Sequence, residues 1–157
     1  MTQIHYLCNR IKNINNNYPN EKISIYHHWR DCHSAFSTTG GAVKAGDYIY
    51  ASGHQNKYWF CVDWDTGETK YKERDMAPCN VVYADGMLYC YSEKGTMNLV
   101  KPNPEKFELV SSFKVPFGTD QHWAHPVIHE GVLYLRHGNA LMAYDLTTTY
   151  ATGLVCL

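Results

Sequence analysis

The 157-residue chain holds no run of about eighteen apolar residues, so no segment reads as a membrane-spanning helix. Its amino terminus has no basic stretch followed by an apolar core and a small-residue cleavage site, the pattern of a secretion leader; as written, the chain is expected in the cytoplasm. Charge is also scarce. Only 18% of residues are Asp, Glu, Lys or Arg, the formal net charge is -1, and neither sign is clustered, which argues against electrostatic capture of nucleic acid or anionic lipid. There is no Gly-rich phosphate loop, no Gly-x-Ser-x-Gly elbow and no His-Glu-x-x-His pair. The six cysteines, at 8, 32, 61, 79, 90 and 156, include no C-x-x-C spacing, and Cys61 and Cys90 fall inside apolar, strand-like runs. They read as small buried fillers rather than as a metal knuckle or a disulfide frame.

What the chain does have is a repeated phrase. Ala45-Gly46-Asp47-Tyr48-Ile49-Tyr50, Ala84-Asp85-Gly86-Met87-Leu88-Tyr89 and His129-Glu130-Gly131-Val132-Leu133-Tyr134 each set a turn between two β-favouring runs, and their last tyrosines stand 39 and 45 residues apart. Such a period marks a repeat architecture, in which one unit cannot bury its own apolar faces and must stack on its neighbours. Each unit reads as four strands. The expected spans are 41–44, 48–52, 59–63 and 69–72; then 80–83, 87–91, 97–101 and 107–115; then 126–129, 132–136, 141–145 and 153–157. Four antiparallel strands in about 40 residues is a propeller blade. Thirteen tyrosines and four tryptophans suit such half-buried pleated surfaces. The expectation is therefore an all-β partial β-propeller of about three four-stranded antiparallel blades, forming one domain. Its divisions are 1–38, a non-repeat segment ending in the last strand of a preceding blade (23–29), then blades at 39–76, 77–120 and 121–157. Core positions expected from the alternation are Ile49, Phe60, Val62, Val82, Leu88, Leu99, Val127, Leu133, Leu141 and Ala143.

Several strings together resemble a known family: Gly40-Gly41-Ala42-Val43, Gly53-His54-Gln55-Asn56-Lys57-Tyr58-Trp59-Phe60-Cys61, Asp63-Trp64-Asp65-Thr66-Gly67, His122-Trp123-Ala124-His125-Pro126-Val127-Ile128 and Arg136-His137-Gly138. With the repeated phrase they are similar to the C-terminal part of PQQ-like β-propeller repeat proteins, whose blades occur in quinoprotein dehydrogenases and in the propeller lipoprotein of outer-membrane assembly. The resemblance runs over 29–148. It implies a segment of a longer secreted or periplasmic parent.

In such a blade the loop leading into the innermost strand and the loop between the second and third strands share one end of the sheets. Candidate ligand-binding residues at that end are His54, Lys57, Glu93, Asp120, His122, Trp123, His125, Arg136 and His137. His54 and His137, with His122 or His125, could offer imidazoles to zinc, copper or iron, or could hydrogen-bond loop backbone. Trp123 could stack a planar ligand or pack between blades. Arg136 could clamp a carboxylate or tie a neighbouring loop. The leading functional reading is a non-catalytic binding or scaffold module that contacts a protein or a small periplasmic ligand through this face. The alternative implied by the resemblance is a fragment of a PQQ-dependent alcohol dehydrogenase, with PQQ and calcium as cofactors and Glu93, Asn80 and Asp120 as possible oxygen ligands. The vicinal cysteine pair common in those enzymes is missing from the sequence. Self-association is expected of the isolated chain, because a three-blade arc leaves apolar sheet faces at its ends.

Overall fold

The computed structural model describes residues 41–53, 57–74, 76–147 and the backbone of 154–156. The expected strand at 23–29 lies outside the described residues. Among the described residues, twelve strands form three antiparallel four-stranded sheets, each meandering in chain order. The first sheet comprises β1 (Val43–Ala45), β2 (Tyr48–Ser52), β3 (Trp59–Asp63) and β4 (Thr69–Glu73). The second comprises β5 (Cys79–Ala84), β6 (Met87–Ser92), β7 (Thr96–Val100) and β8 (Leu109–Lys114), and the third β9 (Val127–His129), β10 (Val132–His137), β11 (Ala140–Asp145) and β12 (Leu154–Cys156). No helix occurs among the described residues.

The repeated phrase is the hairpin joining the first two strands of each sheet. In the second and third copies both central residues have positive φ, 51° at Asp85 and 74° at Gly86, then 49° at Glu130 and 73° at Gly131. This is the type I′ geometry whose twist matches that of the flanking strands, and glycine carries the second position without steric cost. A second turn also recurs. Asp63 Oδ1 accepts from the backbone N–H groups of Asp65 and Thr66 and from the Thr66 hydroxyl, at 3.1, 2.8 and 2.9 Å. In the third sheet Asp145 Oδ1 accepts from the Thr147 N–H and hydroxyl at 2.7 and 2.6 Å. The Thr66 hydrogen bonds hold the Asp63 carboxyl below the usual carboxylate range.

Register makes the sheets equivalent residue by residue. Val43 pairs with Tyr50, Val82 with Tyr89 and Val127 with Tyr134; across the next strand those tyrosines pair with Cys61, Leu99 and Ala143. These residues share one face, here called the forward face, because successive side chains in a strand alternate. The opposite, rear face carries Ile49, Leu88 and Leu133 at equivalent positions. Packing follows a single rule. The forward face of the first sheet (Tyr50, Trp59, Cys61) meets the rear face of the second (Val81, Leu88, Cys90, Val100). The forward face of the second (Tyr89, Tyr91, Met97) meets the rear face of the third (Leu133, Leu135). Tyr50 stacks on Trp59 with ring centroids 6.3 Å apart, and Phe107 meets Trp59 edge-on at 6.2 Å.

Two expectations need correction. Phe107 is not in a strand: β8 begins at Leu109 after a register shift at Leu99/Val100, and the residues before it turn the Phe107 ring onto Trp59. Val127 and Leu141, expected in the core, are 54% and 47% exposed. They lie on the forward face of the third sheet, which no described sheet covers. Cys61, Cys79 and Cys90 are free and buried, as fillers would be, and burial pushes the Cys61 thiol up to about 11.

This asymmetry can be measured. Leu88→Ala, at the buried centre of the second sheet, is expected to cost about 2–5 kcal/mol in urea unfolding. Leu141→Ala should change stability by no more than about 0.5 kcal/mol.

Candidate functional site

The candidate face is where the lead-in loop of the third sheet crosses the ends of β6 and β10. His122, from that loop, and His137, the last residue of β10, stack with ring centroids 3.7 Å apart and planes 22° from parallel. His137 is buried. Its Nδ1 lies 2.8 Å from the Phe117 carbonyl oxygen and its Nε2 2.7 Å from that of Asp120. Carbonyl oxygens only accept, so a proton on either ring nitrogen finds an acceptor in place. His122 Nδ1 lies 2.6 Å from the Tyr91 hydroxyl, and the two rings meet edge to face. Burial pushes the Tyr91 phenol up to about 12, so it keeps its proton at neutral pH and can donate to Nδ1 of a neutral His122. Burial first, then the charges of His137 and Lys114, hold His122 below the usual histidine range. The His122 ring thus lies over one whose two nitrogens both face carbonyl oxygens.

Three glycines make room for this stack. A Cβ at Gly95 would come within 2.5 Å of the His122 ring, one at Gly118 within 2.2 Å of the His137 carbonyl oxygen, and one at Gly138 within 1.6 Å of the Thr119 carbonyl oxygen. All three have positive φ, so both space and backbone exclude a larger residue. Asn80, at the start of the second sheet, donates through Nδ2 to the carbonyls of Trp123 and Ala124 at 2.9 and 3.2 Å. The lead-in loop of the third sheet is thereby pinned to the second at both His122 and Trp123. The first seam is pinned in the corresponding place. There the Ser52 hydroxyl donates to the Cys79 carbonyl at 3.0 Å and accepts from the Cys79 N–H at 2.9 Å.

The remaining candidates are scattered. Lys57 is exposed, with φ 56° and its N–H bonded to the Gly53 carbonyl in the β2–β3 loop. The Glu93 N–H donates to the Pro78 carbonyl, which places the β6–β7 loop beside the lead-in to β5. Asp120 is exposed, and its carboxylate accepts from the adjacent Gln121 N–H. His125 is exposed. Trp123 is 54% exposed. Arg136 donates from Nε to the Gly138 carbonyl at 3.0 Å. His54 lies outside the described residues. A cleft of about 300 Å³ lined by Tyr71, Glu73, Glu105, Lys106 and Phe107 contains none of the candidates.

The donors a metal would need are not gathered among the described residues: no three His, Cys, Asp or Glu side chains come together there. Both His137 nitrogens point at carbonyl oxygens, and a ligand needs a free lone pair. Of the oxygen donors suggested for calcium, the Asp120 carboxylate accepts from the Gln121 N–H and joins no cluster with Glu93 among the described residues. Asn80 is tied to backbone through Nδ2, while its buried Oδ1 has no hydrogen-bond partner among the described residues. Sequence reasoning placed His122 and His137 at one end of the sheets but missed Tyr91 and the three glycines. Only the positions of Gly95, Gly118 and Gly138 within these loops hinted at close approach.

Stacked four-stranded antiparallel sheets of this kind define an arc of β-propeller blades. No protein-family model matches the sequence, and no curated protein does. Solved structures share the fold. BamB from Moraxella catarrhalis superposes with a TM-score of 0.57 at 15% identity, over 74% of this chain and 39% of that one. A europium-containing methanol dehydrogenase gives 0.52 at 15% identity, over 78% and 26%, and the quinohemoprotein alcohol dehydrogenase of Comamonas testosteroni gives 0.56 at 13%, over 78% and 21%. The chain spans less than two fifths of the length of each, and at these identities the likeness is one of fold, that of PQQ-like propellers.

The stack should report itself through pH. The folded state keeps His122 neutral to a lower pH than the unfolded chain does, so the unfolded state takes up the proton first. Its contribution is intact above about pH 6.5, the ordinary histidine value, and is lost as pH falls below it. Urea midpoints between about pH 7.5 and about pH 5 should fall more steeply for the wild type than for His122→Phe. Equal slopes would show that His122 titrates as it does in the unfolded chain.

Proposed function

We propose that the chain is a non-catalytic binding or scaffold module, a PQQ-like propeller segment of a larger secreted or periplasmic protein that engages a protein partner through its loop-bearing end. One observation carries this reading. The polar side chains most suited to chemistry there, His122, His137 and Asn80, are spent on joining the second sheet to the third. Large aromatic groups of the same lead-in region face solvent instead, Phe117 at 46% and Trp123 at 54% exposure. Exposed aromatic residues of this size supply contact area at interfaces. The greater length of the structurally similar proteins supports a larger parent.

Two assays test the reading. Pure protein mixed with PQQ and calcium is expected to show no dye-linked oxidation of primary alcohols above the protein-free control, and sustained turnover would overturn the non-catalytic assignment. A periplasmic extract passed over immobilised wild type and over the Phe117→Ala/Trp123→Ala variant should leave a protein on the wild type alone. Identical retention by both would remove the proposed contact.

A further inference from the structure

The cleft of about 300 Å³ lies between β4, an edge strand of the first sheet, and the loop that joins β7 to β8. Tyr71 and Glu73 line it from one face of β4, since alternate residues of a strand point the same way. Glu105, Lys106 and Phe107 line it from the loop. The loop is braced from within. The Asn103 carboxamide accepts from the Glu105 N–H at 2.9 Å and donates to the Glu108 carboxylate at 3.1 Å, and the Lys101 N–H donates to the Glu108 carbonyl at 2.9 Å. Phe107 stands edge-on to Trp59, which is fully buried, so the cleft is backed by the seam between the two sheets.

Two independent observations mark this corner. Among the described residues three buried side-chain polar atoms have no hydrogen-bond partner, and two of them, Trp59 Nε1 and the Tyr71 hydroxyl, are here. Burial raises the Tyr71 phenol and the neighbouring Trp59 indole acts in the opposite sense, but the geometry between the two falls short of a hydrogen bond. The phenol keeps its proton at neutral pH with no oxygen to receive it, and a buried donor left in that state is costly. Charge is the second observation. Glu73, Glu105 and Lys106 make no ion pair among the described residues. Two carboxylates and an ammonium thus surround one opening with two aromatic rings in its walls. A simple cation would meet Lys106 there and a simple anion would meet the carboxylates, whereas a small molecule carrying both charges satisfies all three.

We propose that this cleft binds a small zwitterion, an α-amino acid with an apolar side chain, whose ammonium pairs with Glu73 and Glu105 and whose carboxylate pairs with Lys106 and accepts from the Tyr71 hydroxyl. The apolar side chain lies against the Phe107 ring. A volume of about 300 Å³ is the lower end of the range for small-molecule pockets, about 300–1,000 Å³, which suits a ligand of this size. The site shares no residue with the aromatic contact proposed for the loop-bearing end, and it stands whether or not that end meets a partner.

The test titrates the full ¹⁵N-labelled chain with L-leucine and follows the backbone amides. Saturable shifts are expected at Tyr71, Glu73 and residues 105–107. N-acetyl-leucine, which lacks the ammonium, and leucinamide, which lacks the carboxylate, should each bind about ten-fold or more weakly, the loss of one charge-assisted contact. Lys106→Ala and Tyr71→Phe should weaken leucine binding by about the same factor. Tyr71→Phe should leave the urea midpoint unchanged or higher, because its hydroxyl gives up no hydrogen bond within the chain. No saturable shift up to about 10 mM leucine, ten times a dissociation constant of about 1 mM, would overturn the proposal. So would equal binding of leucine and its two blocked forms, which would make the cleft a merely apolar one, or undiminished leucine binding by both variants. None of these failures bears on the non-catalytic reading, which the quinone turnover assay tests separately.

Discussion

A β-sheet has two faces, and in this chain the forward face of one sheet is closed by the rear face of the next. Everything else in the described structure depends on that contact. The strands are three to six residues long, and a hairpin of that size is marginal in water without a covered face. Tyr50 with Trp59, and Tyr89 with Tyr91 and Met97, supply the bulk on the forward side; Leu88 and Leu133 fill the rear. Aromatic groups on one side and aliphatic groups on the other let adjacent sheets interdigitate. The turns serve this contact by fixing register, because a slip of one residue would exchange the two faces.

Hydrogen bonds at the loop-bearing end add direction to an interaction that apolar packing alone leaves non-directional. Ser52 with Cys79, and Tyr91 with His122, tie each sheet to the beginning of the following one. The His122–His137 stack then fixes the lead-in loop over β10. A histidine whose two ring nitrogens both face carbonyl oxygens, stacked on a second imidazole, is a structural use of histidine, and it explains why residues that resemble a site in the sequence behave as a seam in the fold.

The architecture was legible because its causes are local. Gly86 and Gly131 mark turns that require positive φ, and alternation along 87–91 and 132–136 specifies strands. Alternation separates two faces but does not say which of them has a neighbour; hence Val127 and Leu141 read as core and are exposed. The candidate site was legible in part. Strand order put His122 and His137 at one end, but their stacking depends on the path of a loop between residues 115 and 127, and Tyr91 became the partner only through the packing of two sheets. Asn80 looked like an oxygen ligand because an amide has two uses, and its nitrogen, not its oxygen, was the end employed.

The central claim is the face-to-face closure of the second sheet by the third. Methyl-labelled protein in a three-dimensional NOESY experiment tests it directly. The account predicts cross-peaks from the rings of Tyr89 and Tyr91 to the methyl groups of Leu133 and Leu135, with those methyls shielded from a soluble paramagnetic probe that broadens Leu141. Absence of the cross-peaks, with Leu133 and Leu141 broadened alike, would contradict it.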